Sequence, residues 1–223
     1  MRIDAHQHFW RYSTTRDTWI TPEMSAIRRD FLPGDLRNVL HANRVDGCVA
    51  VEAAPSIEQT RFLLDLANEH AFIRGVVGWV DLLAPSLDVV LEELCSDPLL
   101  VGVRHAAQAE ADDFLARDDV VRGIGHLGNF GLAYDILIRP EQLPSALELA
   151  SRLPNQRFVL DHLAKPRIRD DVMEPWATHI RELALRPNVH CKVSGLVTEA
   201  HWTDWRAEEL RPYLDVVLEA FGV

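Results

Sequence analysis

Val76-Val77-Gly78-Trp79-Val80 is a nearly continuous apolar run, and Val49-Ala50-Val51 is another. A strand with one wet face alternates apolar and polar residues. A strand covered on both faces does not, so these runs point to a parallel sheet buried between helices. Working outward, similar runs begin near Ile3, Gly47, Ile73, Leu100, Leu132, Phe158 and Val189, 26 to 44 residues apart. One strand, one helix and two short loops fill about that length, so the chain reads as seven βα units. Seven such units predict an α/β fold of the TIM (β/α)8 type, with an open doubly wound sheet as the alternative. The first βα turn argues against a dinucleotide-binding version, because no Gly-x-Gly-x-x-Gly follows Ile3. Gly123-Ile124-Gly125 with Gly128 is glycine-rich but does not follow a strand.

The stretches between the runs carry helix signals. Ser56 and Gln59 have capping-box spacing after Pro55, and Phe62, Leu63, Leu66 and Ala67 form an apolar stripe behind them. Pro140-Glu141-Gln142 opens another helix, which Pro154-Asn155 closes. A last helix covers about residues 206–221, with Leu210, Leu214, Val217, Leu218 and Phe221 on one face and a kink or fresh start expected at Pro212. Two segments interrupt the rhythm. Residues 11–45, with Trp19, Pro22, Phe31 and Pro33, read as an elaborated first loop that would fold over a barrel mouth. Residues 106–118 read as loop with a short helix. No linker or low-complexity tract divides residues 1–223, which read as a single domain.

The chain has 223 residues, 48% of them apolar, and a formal charge of −11 from 34 acidic and 23 basic residues. No Lys/Arg cluster stands out, which argues against a nucleic-acid partner. Cys48, Cys95 and Cys191 are odd in number and far apart, so neither a disulfide framework nor a zinc ribbon is indicated. No apolar signal core follows Met1, and no run reaches the roughly 18–20 apolar residues that span a membrane. These features predict a cytoplasmic protein with no membrane partner.

The chemistry-bearing residues gather at strand ends. His6-Gln7-His8 ends the first strand, and alternation turns His6 and His8 to the same side. Two imidazoles so placed can ligate one divalent metal or donate to one oxygen. His162 ends the sixth strand in Phe158-Val159-Leu160-Asp161-His162 and can complete a three-histidine cluster on one rim. Lys165, in the following turn, suits either an anionic or hydroxylated substrate or a solvated loop position. Arg104 ends the fourth strand, where it can hold a substrate oxygen or form a structural ion pair. Tyr134-Asp135 ends the fifth and offers a phenol and a carboxylate. Trp79, ending the third, can stack on a sugar or fill core. His41, His70, His126 and His179 read as surface residues, His190 lies at the wrong end of its strand, and His201 is a further candidate.

Together these stretches resemble the amidohydrolase-related family, in its sugar-lactonase branch with L-fuconolactonase and L-rhamnono-lactonase. The resemblance is carried by IDAHQHFW at 3–10, VVGWVDL at 76–82, GVRH at 102–105, FVLDHLAKP at 158–166 and CKVSGLVTEA at 191–200. It implies a TIM barrel that hydrolyses a sugar-acid lactone, a small-molecule substrate of carbohydrate metabolism. It implies that His6, His8 and His162 face the active site. There they would bind one divalent metal, Zn or Mn, in some members and polarise the carbonyl without metal in others. Arg104 and Tyr134 match positions that contact substrate, while Trp79 and Lys165 stand as substrate-binding candidates on their own chemistry. Family members continue into a strand ending in Gly-Ser-Asp-Trp-Pro, whose aspartate takes the proton from water. This chain reaches Phe221-Gly222-Val223 where that strand is due. The expectation is therefore a barrel without its eighth strand and final helix, with open sheet edges that favour a homo-oligomer. Two alternatives stand beside the lactonase: a non-catalytic, oligomerising barrel, and a metal-dependent decarboxylase of the same superfamily.

Overall fold

The structure is a computed structural model that describes residues 1–18 and 20–222. It divides into two compact units, Met1–Trp79 with Asp97–Leu100, and Val80–Ser96 with Val101–Val223.

The first unit holds β1 (Ile3–Gln7), α1 (Pro33–Ala42), β2 (Gly47–Val51), α2 (Ile57–Glu69) and β3 (Ile73–Gly78). β1, β2 and β3 are parallel and neighbour one another in chain order. In β2 and β3 the buried positions do not alternate, as their apolar runs require. Ser56 caps α2, its hydroxyl accepting from the Gln59 amide at 3.1 Å. The buried face of α2 is rotated from the expected stripe. Gln59, Thr60, Leu63, Leu64 and Ala67 are buried, while Phe62 and Leu66 are only half-covered. Two polar residues take the interior places because each serves backbone. Gln59 Nε2 donates to the Phe9 carbonyl at 3.0 Å, and Thr60 Oγ1 both accepts from Trp79 N at 2.8 Å and donates to Trp79 O at 2.9 Å. Gly78 has no side chain because a β-carbon there would stand 2.4 Å from the Thr60 methyl. Within the long first connection, Trp10 and Phe31 form an antiparallel bridge with their rings 4.5 Å apart. Trp19 lies outside the described residues.

The second unit holds α3 (Leu87–Leu94), β4 (Leu100–His105), α4 (Asp118–Asn129), β5 (Ala133–Ile136), α5 (Leu143–Arg152), β6 (Phe158–Leu160), α6 (Trp176–Ala184), β7 (Val189–Cys191), α7 (Leu196–Glu199) and α8 (Ala207–Phe221). β4 to β7 are parallel and again in chain order. The glycine-rich 123–128 stretch lies inside α4, where Gly123 lets the helix approach the Leu82 carbonyl; a β-carbon would stand 2.2 Å from that oxygen. Residues 106–118 form two short 3-10 turns, Ala107–Ala109 and Phe114–Ala116. α8 runs through Pro212 as one helix, so of the expected kink or fresh start the fresh start does not occur. Its buried residues are Leu210, Tyr213, Val216 and Val217, whereas Leu218 is exposed. Tyr213 is drawn inward by Trp176 on α6, ring centroids 5.4 Å apart, and that contact sets the rotation of the helix. Among the described residues no helix is long and apolar enough to cross a membrane.

Candidate active site

In the first unit the chemistry lies at the end of β1. His6 and His8 are half-buried, and their rings meet edge to face with centroids 4.9 Å apart. The two Nε2 atoms are 3.2 Å apart. His8 Nδ1 lies 2.9 Å from the Val51 carbonyl. A carbonyl only accepts, so Nδ1 carries the proton and Nε2 carries the lone pair. Two Nε2 ligands of a tetrahedral zinc, each bonded at about 2.0–2.1 Å, would stand roughly 3.3–3.4 Å apart. The observed pair fits that donor geometry. Trp79 follows β3. Its backbone is held by Thr60, and its buried Nε1 has no hydrogen-bond partner among the described residues.

In the second unit, strand register turns four charged side chains to one face. Arg104 pairs in register with Asp135, and Asp135 with Val159, which shares its side with Asp161; Lys192 extends the same row beyond β7. Asp135 and Asp161 are buried, 1% and 0% exposed. Arg104 Nη1 lies 3.3 Å from Asp161 Oδ2, and Lys192 Nζ lies 3.0 Å from Asp161 Oδ1 while also donating to Asp135. Two cations thus face two buried anions. The carboxyl of Asp135 is nevertheless pushed up to about 6, first by burial and then by the Asp161 charge, against the pull of Lys192 and Arg104. Tyr134 lies on the other face. It pairs with Phe158, is fully buried, and its phenol has no hydrogen-bond partner among the described residues. Burial holds that phenol well above its usual range. Its neighbour Asp135 takes the polar face.

His162 is half-buried and opens a left-handed turn after β6. Its Nδ1 is 2.8 Å from Ser194 Oγ. Lys165 ends the turn, 3.9 Å from Glu199, and burial lowers its pKa below the usual lysine value. Other histidines keep bland roles: His105 meets Glu110 at 3.0 Å and His126 meets Asp88 at 2.6 Å. His179 is half-buried, not a surface residue. Sequence reasoning passed over Asp161, Lys192, Ser194 and Gly195. The first two were legible from strand register, since Arg104, Asp135, Asp161 and Lys192 all follow the same alternation.

The Amidohydrolase family profile matches residues 3–223. The chain belongs to the amidohydrolase family. This amidohydrolase is 42% identical over 224 residues to the L-fucono-1,5-lactonase of Burkholderia ambifaria, covering 99% of this chain and 76% of that protein. It is 42% identical over 233 residues to the L-fucono-1,5-lactonase of Burkholderia multivorans, covering 100% and 78%. A crystal structure of an amidohydrolase from Burkholderia multivorans with bound zinc superimposes with a TM-score of 0.93 at 41% identity, covering all of this chain and 81% of that one. The fold class is therefore the expected one, α/β of the TIM-barrel type, with seven strands among the described residues. The protein is a hydrolase of the amidohydrolase superfamily.

Proposed function

We propose that this hydrolase opens a sugar-acid lactone, of the L-fucono-1,5-lactone kind, by attack of water on the cyclic ester. The observation that carries the proposal is the 42% identity, over nearly all of the chain, to two L-fucono-1,5-lactonases. His6, His8 and His162 are the proposed catalytic imidazoles, with zinc or manganese as the divalent ion they would hold. Two observations support a metal. The His6 and His8 nitrogens have ligand spacing, and a similar amidohydrolase from Burkholderia multivorans was solved with bound zinc. A bound ion would act as a Lewis acid on the lactone carbonyl. The Val51 carbonyl keeps His8 in the tautomer that offers Nε2. Arg104 and Lys192 pair with the buried Asp161 carboxyl group. Trp79, with an indole donor lacking a protein partner among the described residues, and Lys165 are proposed to meet the sugar hydroxyls. A small neutral substrate and no nucleic-acid partner also accord with the net charge of −11.

The lactonase relatives favour this reading over a decarboxylase or a non-catalytic barrel. The test is acid release from L-fucono-1,5-lactone and from other sugar 1,4- and 1,5-lactones. His162→Ala and His6→Ala are expected to lower kcat/KM by about 10²–10³-fold, the cost of losing carbonyl stabilisation. Turnover no faster than spontaneous opening, or full activity in His162→Ala, would remove the proposal.

A further inference from the structure

His162, Leu163, Ala164 and Lys165 all have positive φ, 53°, 56°, 55° and 52°. For residues with a β-carbon, the left-handed helical conformation costs roughly 1–2 kcal/mol each. Four in succession, with no glycine or asparagine among them, must be held from outside. One tether is Trp176 on α6, whose Nε1 donates to the Leu163 carbonyl at 2.7 Å in a buried bond. The others come from the segment after β7. Ser194 Oγ lies 2.8 Å from His162 Nδ1. Gly195 sits at φ 71° against the ring itself: a β-carbon there would stand 2.8 Å from Cγ, 2.9 Å from Nδ1 and 3.0 Å from Cβ of His162. No real β-carbon tolerates such contacts, so the imidazole occupies the space that the glycine leaves.

We propose that Ser194 and Gly195 are positioning residues for His162. The Ser194 hydroxyl accepts the Nδ1 proton, the Gly195 backbone forms the slot for the ring, and Nε2 is thereby the nitrogen presented for chemistry. The inference rests on the reading of His162 as a site residue. It assigns His162 the arrangement His8 has, where the Val51 carbonyl fixes the proton on Nδ1. One imidazole is set by a carbonyl and the other by a hydroxyl. Only the second can be removed by a single side-chain substitution, which makes Ser194 the informative position.

The test uses the whole protein labelled with 15N-histidine, free of metal and at neutral pH, with the His162 signal identified by its loss in His162→Gln. In the wild type the proton is expected on Nδ1. In Ser194→Ala the ring is expected to populate the other tautomer, and zinc affinity, measured by chelator competition, to fall about 10–100-fold. Ser194→Thr keeps the hydroxyl and should restore both readouts. Gly195→Ala should perturb the ring signal more than Ser194→Ala; should it fail to fold, the Ser194 pair decides. A wild-type ring protonated on Nε2 overturns the proposal. So does a Ser194→Ala protein with unchanged ring signal and unchanged zinc affinity, because a merely structural serine would move neither. If the wild type opens no lactone while Ser194→Ala still shifts the tautomer, the lactonase reading fails and this one stands.

Discussion

Replacing Asp135 with asparagine tests the buried charge cluster through its pH dependence. Asp135 is surrounded by Asp161 from the segment after β6, Lys192 from the segment after β7, and Arg104 from β4. Its carboxyl is raised from 3.8 to about 6, chiefly by burial. The folded protein therefore keeps a proton on Asp135 up to about pH 6, whereas the unfolded chain releases it near pH 4. Between those values the folded state binds more protons, so stability falls as pH rises, by about 1.4 kcal/mol per unit. The window of about two units makes the total about 3 kcal/mol, with no further change above it. The amide in Asp135→Asn would keep the size and the oxygen that accepts from Lys192 but would not titrate. Urea unfolding of both proteins at intervals across roughly pH 4 to 8 gives the difference in stability at each pH. That difference should move in favour of Asp135→Asn by about 2–3 kcal/mol between about pH 4 and pH 7, then level off. A constant offset between the two proteins depends on how Lys192 resettles and is not the readout. Parallel curves over the whole range would refute the reasoning.

Gly123→Ala should destabilise by about 1–3 kcal/mol in urea unfolding, because the added methyl meets the Leu82 carbonyl, which is backbone and yields little; a neutral result would mean that α4 can shift freely. Ser56→Ala removes the hydroxyl that caps α2 and should cost about 1 kcal/mol, with Ser56→Gly costing less; equal stability of all three would show that the cap contributes nothing. Zinc at about 100 times its Kd should raise the unfolding free energy by about 2.7 kcal/mol, and a chelator should reverse it. An identical zinc effect in His162→Ala would place the ion elsewhere.

Strand positions were readable because periodicity survives in single segments. Six of the seven expected starts coincide with observed ones, and the fifth begins at Ala133, one residue later than expected. Helix faces were less readable. Tyr213 and Val216 displaced Leu214 and Leu218 on α8 through a ring contact with Trp176, a residue 37 positions away that no local pattern reveals. Gln59 and Thr60 face inward on α2 because they bond the backbone of Phe9 and Trp79, a need that polarity scales count against burial. At the candidate site, His6 and His8 declared themselves through alternation, and their mutual geometry agrees with it. Lys192 and Asp161 stayed hidden because their significance lies in pairing across strands, not in either segment alone. The turn at 162–165 had almost no signal, since Leu-Ala-Lys carries none of the residues that favour positive φ and a single histidine favours it only modestly.

That turn also bears on the order in which the molecule assembles. Nothing within residues 158–166 favours a left-handed screw, so a nascent chain ending there would leave His162 in an ordinary right-handed or extended conformation. Its tethers arrive later, first Trp176 and then Ser194 and Gly195, some 14 to 33 residues downstream. On the ribosome the imidazole would thus lack its final orientation until the segment beyond β7 has emerged and docked.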